Sequence, residues 1–155
     1  MYKHAPLDYK CPICIGLKDP GTPDTLIIAD DIVYKDDLVS VVVNSFFIGN
    51  NPGHVIVVPN DHYENIYDLP DQVGHRVHEV AKKMAAVLKE AYKCDGITTM
   101  QNNEPAGDQH AFHFHFHIFP RYKDDNLHQH MTNKRLAPPE ERNTYSDKLR
   151  SKLTY

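Results

Sequence analysis

The 155-residue chain predicts an α+β domain. Three features carry that reading. Three strand-like, β-branched runs precede residue 60, one long amphipathic helix pattern follows, and two more strand-like runs come after it. A single helix set between groups of strands favours an antiparallel sheet with the helix over one face, rather than the alternating βαβ order of a parallel sheet. The expected architecture is an antiparallel sheet of about five strands, one long helix and a C-terminal tail.

After "CPICIGL" and the turn-rich "KDPGTPD", the segment "TLIIADDIVYKDDLVSVVVNSFFI" contains two runs of β-favouring residues, giving strands near 25–34 and 38–45. "NNPG" marks a turn. "HVIVVP" is a third strand, stopped by Pro59, with His54 at its entrance. From Asp71 to Tyr92 the residues Val73, Val77, Val80, Met84, Val87, Leu88 and Ala91 recur at intervals of three and four, the spacing of one helix face. Gly96 is the expected helix stop. "GITTMQN" reads as a fourth strand, "NEPAGDQ" as a loop and "AFHFHFHIFP" as a fifth strand. The tail is polar, and "APPEERNTYSDKLRSKL" is a helix pattern opened by prolines. Residues 1–122 are expected to form the domain, with 123–155 a partly helical extension packed on it.

Composition narrows the partners. Apolar residues make up 41% and charged residues 25%, ordinary values for one globular core. A net charge of −4 offers no electrostatic attraction to nucleic acid or to an anionic membrane, so a small molecule is the expected partner. "MYKHAPLDYK" lacks the apolar centre of a signal peptide, and "LVSVVVNSFFIG" is too short and polar to cross a bilayer, which predicts a cytoplasmic protein. An odd count of three cysteines argues against a disulfide framework and leaves metal binding or redox chemistry for the Cys11-x-x-Cys14 pair. Cys94 reads as a packing residue.

The strongest chemical signal is "HAFHFHFHIFPRY". On a strand, residues i, i+2 and i+4 share a face and lie about 6.5–7 Å apart. His113, His115 and His117 would then line one face, and Phe112, Phe114, Phe116 and Ile118 the buried one. Such a row suits a metal site. It equally suits nucleophilic catalysis by a neutral imidazole.

"HFHFHIFPRY", preceded by "QNNEPAGDQ", resembles the histidine triad family, whose signature is His-x-His-x-His followed by two apolar residues, often with Pro-Arg beyond. "PGHVIVVP" and "DHYENIYDL" resemble the family's upstream blocks, so the likeness spans residues 11–122. It implies the family's fold and a nucleotidyl hydrolase or transferase acting on a phosphoanhydride or phosphoramidate, with a purine nucleotide as substrate. The middle histidine, here His115, would attack the α-phosphorus, with His117 and His54 orienting it and balancing charge. Asn102 and Gln109 match amides that hold the phosphates. The family's Gly-Gln-Ser or Gly-Gln-Thr is replaced by Asp108-Gln109-His110, so an imidazole stands where a hydroxyl is usual and an anion is added beside it. His110 is assigned to binding a phosphate or protonating the leaving group, and Asn44 to a ribose contact. Branches of the family with a Cys-x-x-Cys pair bind structural zinc, which here implies Cys11, Cys14, His62 and His113 as ligands. The resemblance also implies a homodimer joined through a sheet edge and the long helix. A nucleotide-binding sensor with negligible turnover is the alternative from another class.

Overall fold

The computed structural model describes residues 2–153. Its elements in chain order are α1 (Pro12–Lys18), β1 (Ile32–Lys35), β2 (Val39–Val43), β3 (Phe46–Ile48), β4 (Val55–Pro59), α2 (Asp71–Tyr92), β5 (Gly96–Gln101), β6 (Phe116–Arg121), β7 (Lys134–Leu136) and α3 (Pro139–Arg150). The main sheet has five antiparallel strands in the order β1-β2-β4-β6-β5, while β3 and β7 pair separately. This is the α+β architecture predicted.

Both faces of the central strands are covered, which is why β2 and β4 are buried at every position. Val41, Val43, Val55 and Val57 face α2, packing on Val77, Met84 and Leu88. The alternate residues Val42, Ile56 and Val58 face the other way, toward Ile13 and Leu17 of α1. A run of valines and isoleucines without polar alternation is what two-sided burial demands. Leu149 of α3 and Leu153 beyond it join the α2 side of the core. The extension is also pinned by a buried ion pair, Arg142 Nη1 to Asp31 Oδ2 at 2.8 Å.

Three predicted boundaries move and one expected stop signal changes role, each for a local reason. The first strand starts at Ile32 rather than Thr25, because residues 29–31 form a 3-10 turn in which Asp31 Oδ2 accepts from the Ile28 amide at 2.9 Å. The run over 38–45 ends early, at Val43. Asn44 Oδ1 then accepts from the Phe46 amide at 2.8 Å, an Asx turn that sends Phe46–Ile48 out of the main sheet to pair with β7. Helix α2 stops at Tyr92 because Lys93 takes the left-handed conformation (φ 54°) and Lys89 Nζ donates to the Cys94 and Asp95 carbonyls, so Gly96 opens β5 instead of ending the helix. The fifth strand of the main sheet begins only at Phe116. Its ladder with β4 runs from Val57↔Phe116 to Val55↔Ile118, and ahead of it the Phe114 amide turns away to the Tyr63 carbonyl. Pro59, which ends β4, has no N–H to extend a ladder.

Candidate active site and metal-ligand cluster

Because the regular strand begins at Phe116, the three triad histidines do not share one environment. His113 is buried beside the N-terminal segment, whereas His115 and His117 open onto a cavity of about 750 Å³ on the α1 side of the sheet. The phenylalanine face is divided too. Phe114, Phe116 and Ile118 pack under α2, but Phe112 sits edge-on to Tyr9, with ring centroids 5.5 Å apart.

His115 is set for one tautomer. Its Nδ1 lies 2.6 Å from the His113 carbonyl oxygen, which can only accept, so the proton resides on Nδ1 and Nε2 keeps its lone pair. The ring of His117 stands edge-on to it at 4.9 Å between centroids. His54, at the entrance to β4, stacks on Phe119 at 4.4 Å, and His117 stacks on the same phenyl ring at 5.5 Å. Phe119 continues the alternation 113, 115, 117, and that spacing could have revealed it as the platform under the histidines.

Burial controls the charge of this group. Removal from water pushes His54 down to about 3, with the positive form of nearby His115 adding to the effect. Burial lowers His117 well below the usual histidine range and lowers His115 as well. The site therefore holds three neutral imidazoles at neutral pH. Both nitrogens of His54 and Nδ1 of His117 are buried without a hydrogen-bond partner in the protein.

The other expected site residues divide. Asn44, Asn102, Asp108 and His110 all line the cavity. Asn102 Nδ2 donates to the Asp108 carbonyl at 3.2 Å, which uses one of its two amide hydrogens. Gln109 is not among the residues that line the cavity; its side chain is buried and committed to the loop. Its Oε1 accepts from the Glu104 amide at 2.7 Å, and its Nε2 donates to the Glu64 carbonyl at 2.5 Å and the Ala111 carbonyl at 3.1 Å. With both N–H groups spent, Gln109 shapes the segment before the histidines and has no donor left for a phosphate. Met131, Thr132 and Lys134 also line the cavity; no pattern in that polar stretch of sequence announces it.

The cysteine pair meets His62 and His113. One ligand atom from each of Cys11, Cys14, His62 and His113 falls within a set whose members all lie within 4.8 Å of one another. His113 Nδ1 is 3.4 Å from both sulfurs, and His62 Nδ1 is 3.4 Å from Cys14 Sγ. Sulfur and nitrogen ligands of a tetrahedral zinc are about 3.6 Å apart, given bond lengths near 2.3 and 2.1 Å. His113 Nε2 donates to the Pro59 carbonyl at 3.0 Å, which leaves Nδ1 bare toward the sulfurs. Hydrogen bonding from Cys14 holds Cys11 toward the thiolate, the state in which a cysteine ligates metal.

The HIT domain pattern matches residues 26–124, and the chain belongs to that family. In sequence it is 37% identical over 94 residues to a HIT-like protein of Saccharolobus solfataricus, covering 61% of this chain and 66% of the relative. It is 32% identical over 109 residues to the adenosine 5'-monophosphoramidase of Saccharomyces cerevisiae, covering 66% of each. The chain thus spans about two thirds of the length of these relatives. Among solved structures, a Hit-like protein of Bartonella henselae superposes with a TM-score of 0.71 at 33% identity, covering 79% of this chain and 86% of that one. A zinc-bound histidine triad family protein of Mycobacterium smegmatis superposes at 0.72, covering 92% and 91%, and at 22% identity bears on the fold. No helix among the described residues is long and apolar enough to cross a membrane.

Proposed function

We propose that the protein is a nucleotidyl hydrolase or transferase that works through a covalent nucleotidyl-histidine at His115. The observation that carries this reading is the neutral His115 ring, with Nδ1 held by the His113 carbonyl and Nε2 free beside His117 and His54 on a cavity wall. In the first step the Nε2 lone pair attacks the α-phosphorus of a nucleotide. The bond from phosphorus to the leaving oxygen or nitrogen breaks, and the leaving group takes a proton, which His110 on the cavity rim can supply. In the second step water or another acceptor attacks the same phosphorus and gives its proton back to His110, while the phosphorus–Nε2 bond breaks and Nε2 recovers its lone pair. The Nδ1–H···O=C bond stabilises the positive charge that builds on the ring as it attacks.

Asn102 retains one N–H for a phosphate oxygen. The apolar wall, including Leu26, Ile27 and Phe46, suits a purine, and Asn44 at its edge keeps Nδ2 for the ribose. The similarity to the yeast monophosphoramidase supports a phosphoramidate substrate. Cys11, Cys14, His62 and His113 are the ligands of a structural zinc. That metal supplies a crosslink between α1 and the segment just ahead of His115. The active unit is a cytoplasmic homodimer paired along the β5 edge and α2, with residues 1–122 as the domain and 123–155 as its extension; neither nucleic acid nor membrane is a partner.

The test is intact-protein mass spectrometry after brief mixing with a diadenosine polyphosphate or adenosine phosphoramidate. A nucleoside monophosphate adduct on the parent chain and none on His115→Ala is the expected result. Stable binding of nucleotide with no adduct and no turnover would replace the enzyme by a sensor.

A further inference from the structure

The extension after Arg121 does more than pack on the sheet. It leaves β6, crosses the face that carries the histidines and returns as β7, and both of its ends are held. At the near end Asp125 accepts from Arg121 Nε and Nη2 at 2.8 Å, from the Tyr122 amide at 2.8 Å and from Asn51 Nδ2 at 2.6 Å. At the far end Lys134, Arg135 and Leu136 pair with Ile48, Phe47 and Phe46, and the Ala137 amide donates to the Ser45 carbonyl at 2.9 Å. Between these anchors Leu127 and Met131 pack on Ile48 and Phe119, the ring on which His54 and His117 stack. One layer of side chains separates this strap from the reacting centre.

The charge of the cavity gives the strap its consequence. The lining includes the carboxylate side chain of Asp108, yet the expected substrate is itself a polyanion. Among the described lining residues the one lysine or arginine is Lys134, on the strap. Its Nζ stands over the Phe46 ring, 5.7 Å from the centroid, and both residues line the cavity. Its pairing with Ile48 fixes the backbone from which it reaches. An exposed ammonium is a hydrated point charge on a flexible stem, suited to phosphates near a cavity mouth rather than to the buried reacting atom.

We propose that residues 124–136 form a substrate-selecting wall and that Lys134 holds the phosphates beyond the α-phosphate, favouring polyphosphate over uncharged leaving groups. This rests on the nucleotide reading above. Calorimetric titration of the unreactive His115→Ala chain with AMP and with ATP isolates the effect, because the two ligands differ only in the outer phosphates. Adding Lys134→Met should reduce the preference for ATP over AMP by about tenfold, the scale of one charge-assisted contact at a partly solvated site. Lys134→Arg should retain the preference, and added salt should erode it only when residue 134 is cationic. An unchanged ATP-to-AMP ratio in Lys134→Met, or an equal loss for both, overturns the role of Lys134 while leaving nucleotide binding intact. If neither nucleotide binds even with Lys134 present, the nucleotide reading falls and takes this inference with it.

Discussion

Replacing Gly53 with alanine puts a methyl group where the ring of Tyr145 already lies. Gly53 immediately precedes His54 and has φ +77°, a left-handed conformation that costs an L-residue about 1–2 kcal/mol. The added Cβ would sit 2.6 Å from Tyr145 Cγ and closer still to Cδ1, whereas non-bonded carbons prefer about 3.5–4.0 Å. Tyr145 has little room to yield. It is edge-on to Phe47 at 5.2 Å and to Tyr92 at 5.3 Å, and the Tyr92 hydroxyl donates to the Gly53 carbonyl at 3.1 Å. Overpacking of this kind adds about 1–3 kcal/mol. Gly53→Ala should therefore destabilise by about 2–5 kcal/mol, measured by urea unfolding. In a Tyr145→Ala background the overlap is gone, and the same substitution should cost only the backbone part, about 1–2 kcal/mol. Equal costs in the two backgrounds would refute the overlap. A cost well under 1 kcal/mol in both would refute the backbone argument as well.

Three other outcomes follow from the same geometry. His54, held near 3 by burial, stays neutral when folded, whereas an unfolded histidine titrates near 6.5. Between those values the unfolded chain binds the extra proton, so stability falls as pH falls through that window, approaching about 1.4 kcal/mol per pH unit from this residue. Chemical unfolding at stepped pH should show a shallower slope for His54→Phe, and identical slopes would remove the linkage. Purified without chelator, the protein should carry zinc by elemental analysis and lose both metal and thermal stability on Cys14→Ser substitution; metal-free parent protein would end the zinc assignment. Arg142→Met should cost about 3–5 kcal/mol because buried Asp31 loses its counter-charge, and adding Asp31→Leu should recover part of that loss.

Much of the scaffold was legible because its signals are local. The three-and-four spacing from Val73 to Leu88 reports a helix with one buried face, and Asp71–Tyr92 is helical over the expected span. The valine-rich runs became β2 and β4 because nothing but a two-sided interior accommodates them. Strand ends were less legible, since they depend on competing hydrogen bonds: Asp31 to the Ile28 amide, Asn44 to the Phe46 amide, and Phe114 to a carbonyl fifty-one residues earlier in the chain. Gln109 shows the same limit within the site. Its place before the histidines suggested a phosphate contact, but the Glu64 and Ala111 carbonyls take both its donors.

By itself the sequence determined the order of the five main-sheet strands and the long helix, the family and the histidines on which a nucleotidyl-transfer chemistry would rest, because side-chain periodicity and motif spacing are properties of the covalent chain. Only the tertiary structure decided that His115 and His117 open onto a cavity while His113 is buried beside the N-terminal segment, that Phe119 supports the rings of His54 and His117, and that the polar extension brings Lys134 to the same wall. Those relations join residues up to about eighty or a hundred positions apart. They come from the end of one strand ladder, the burial of one side of a sheet and the anchoring of a strap at both ends, none of which leaves a pattern in neighbouring residues.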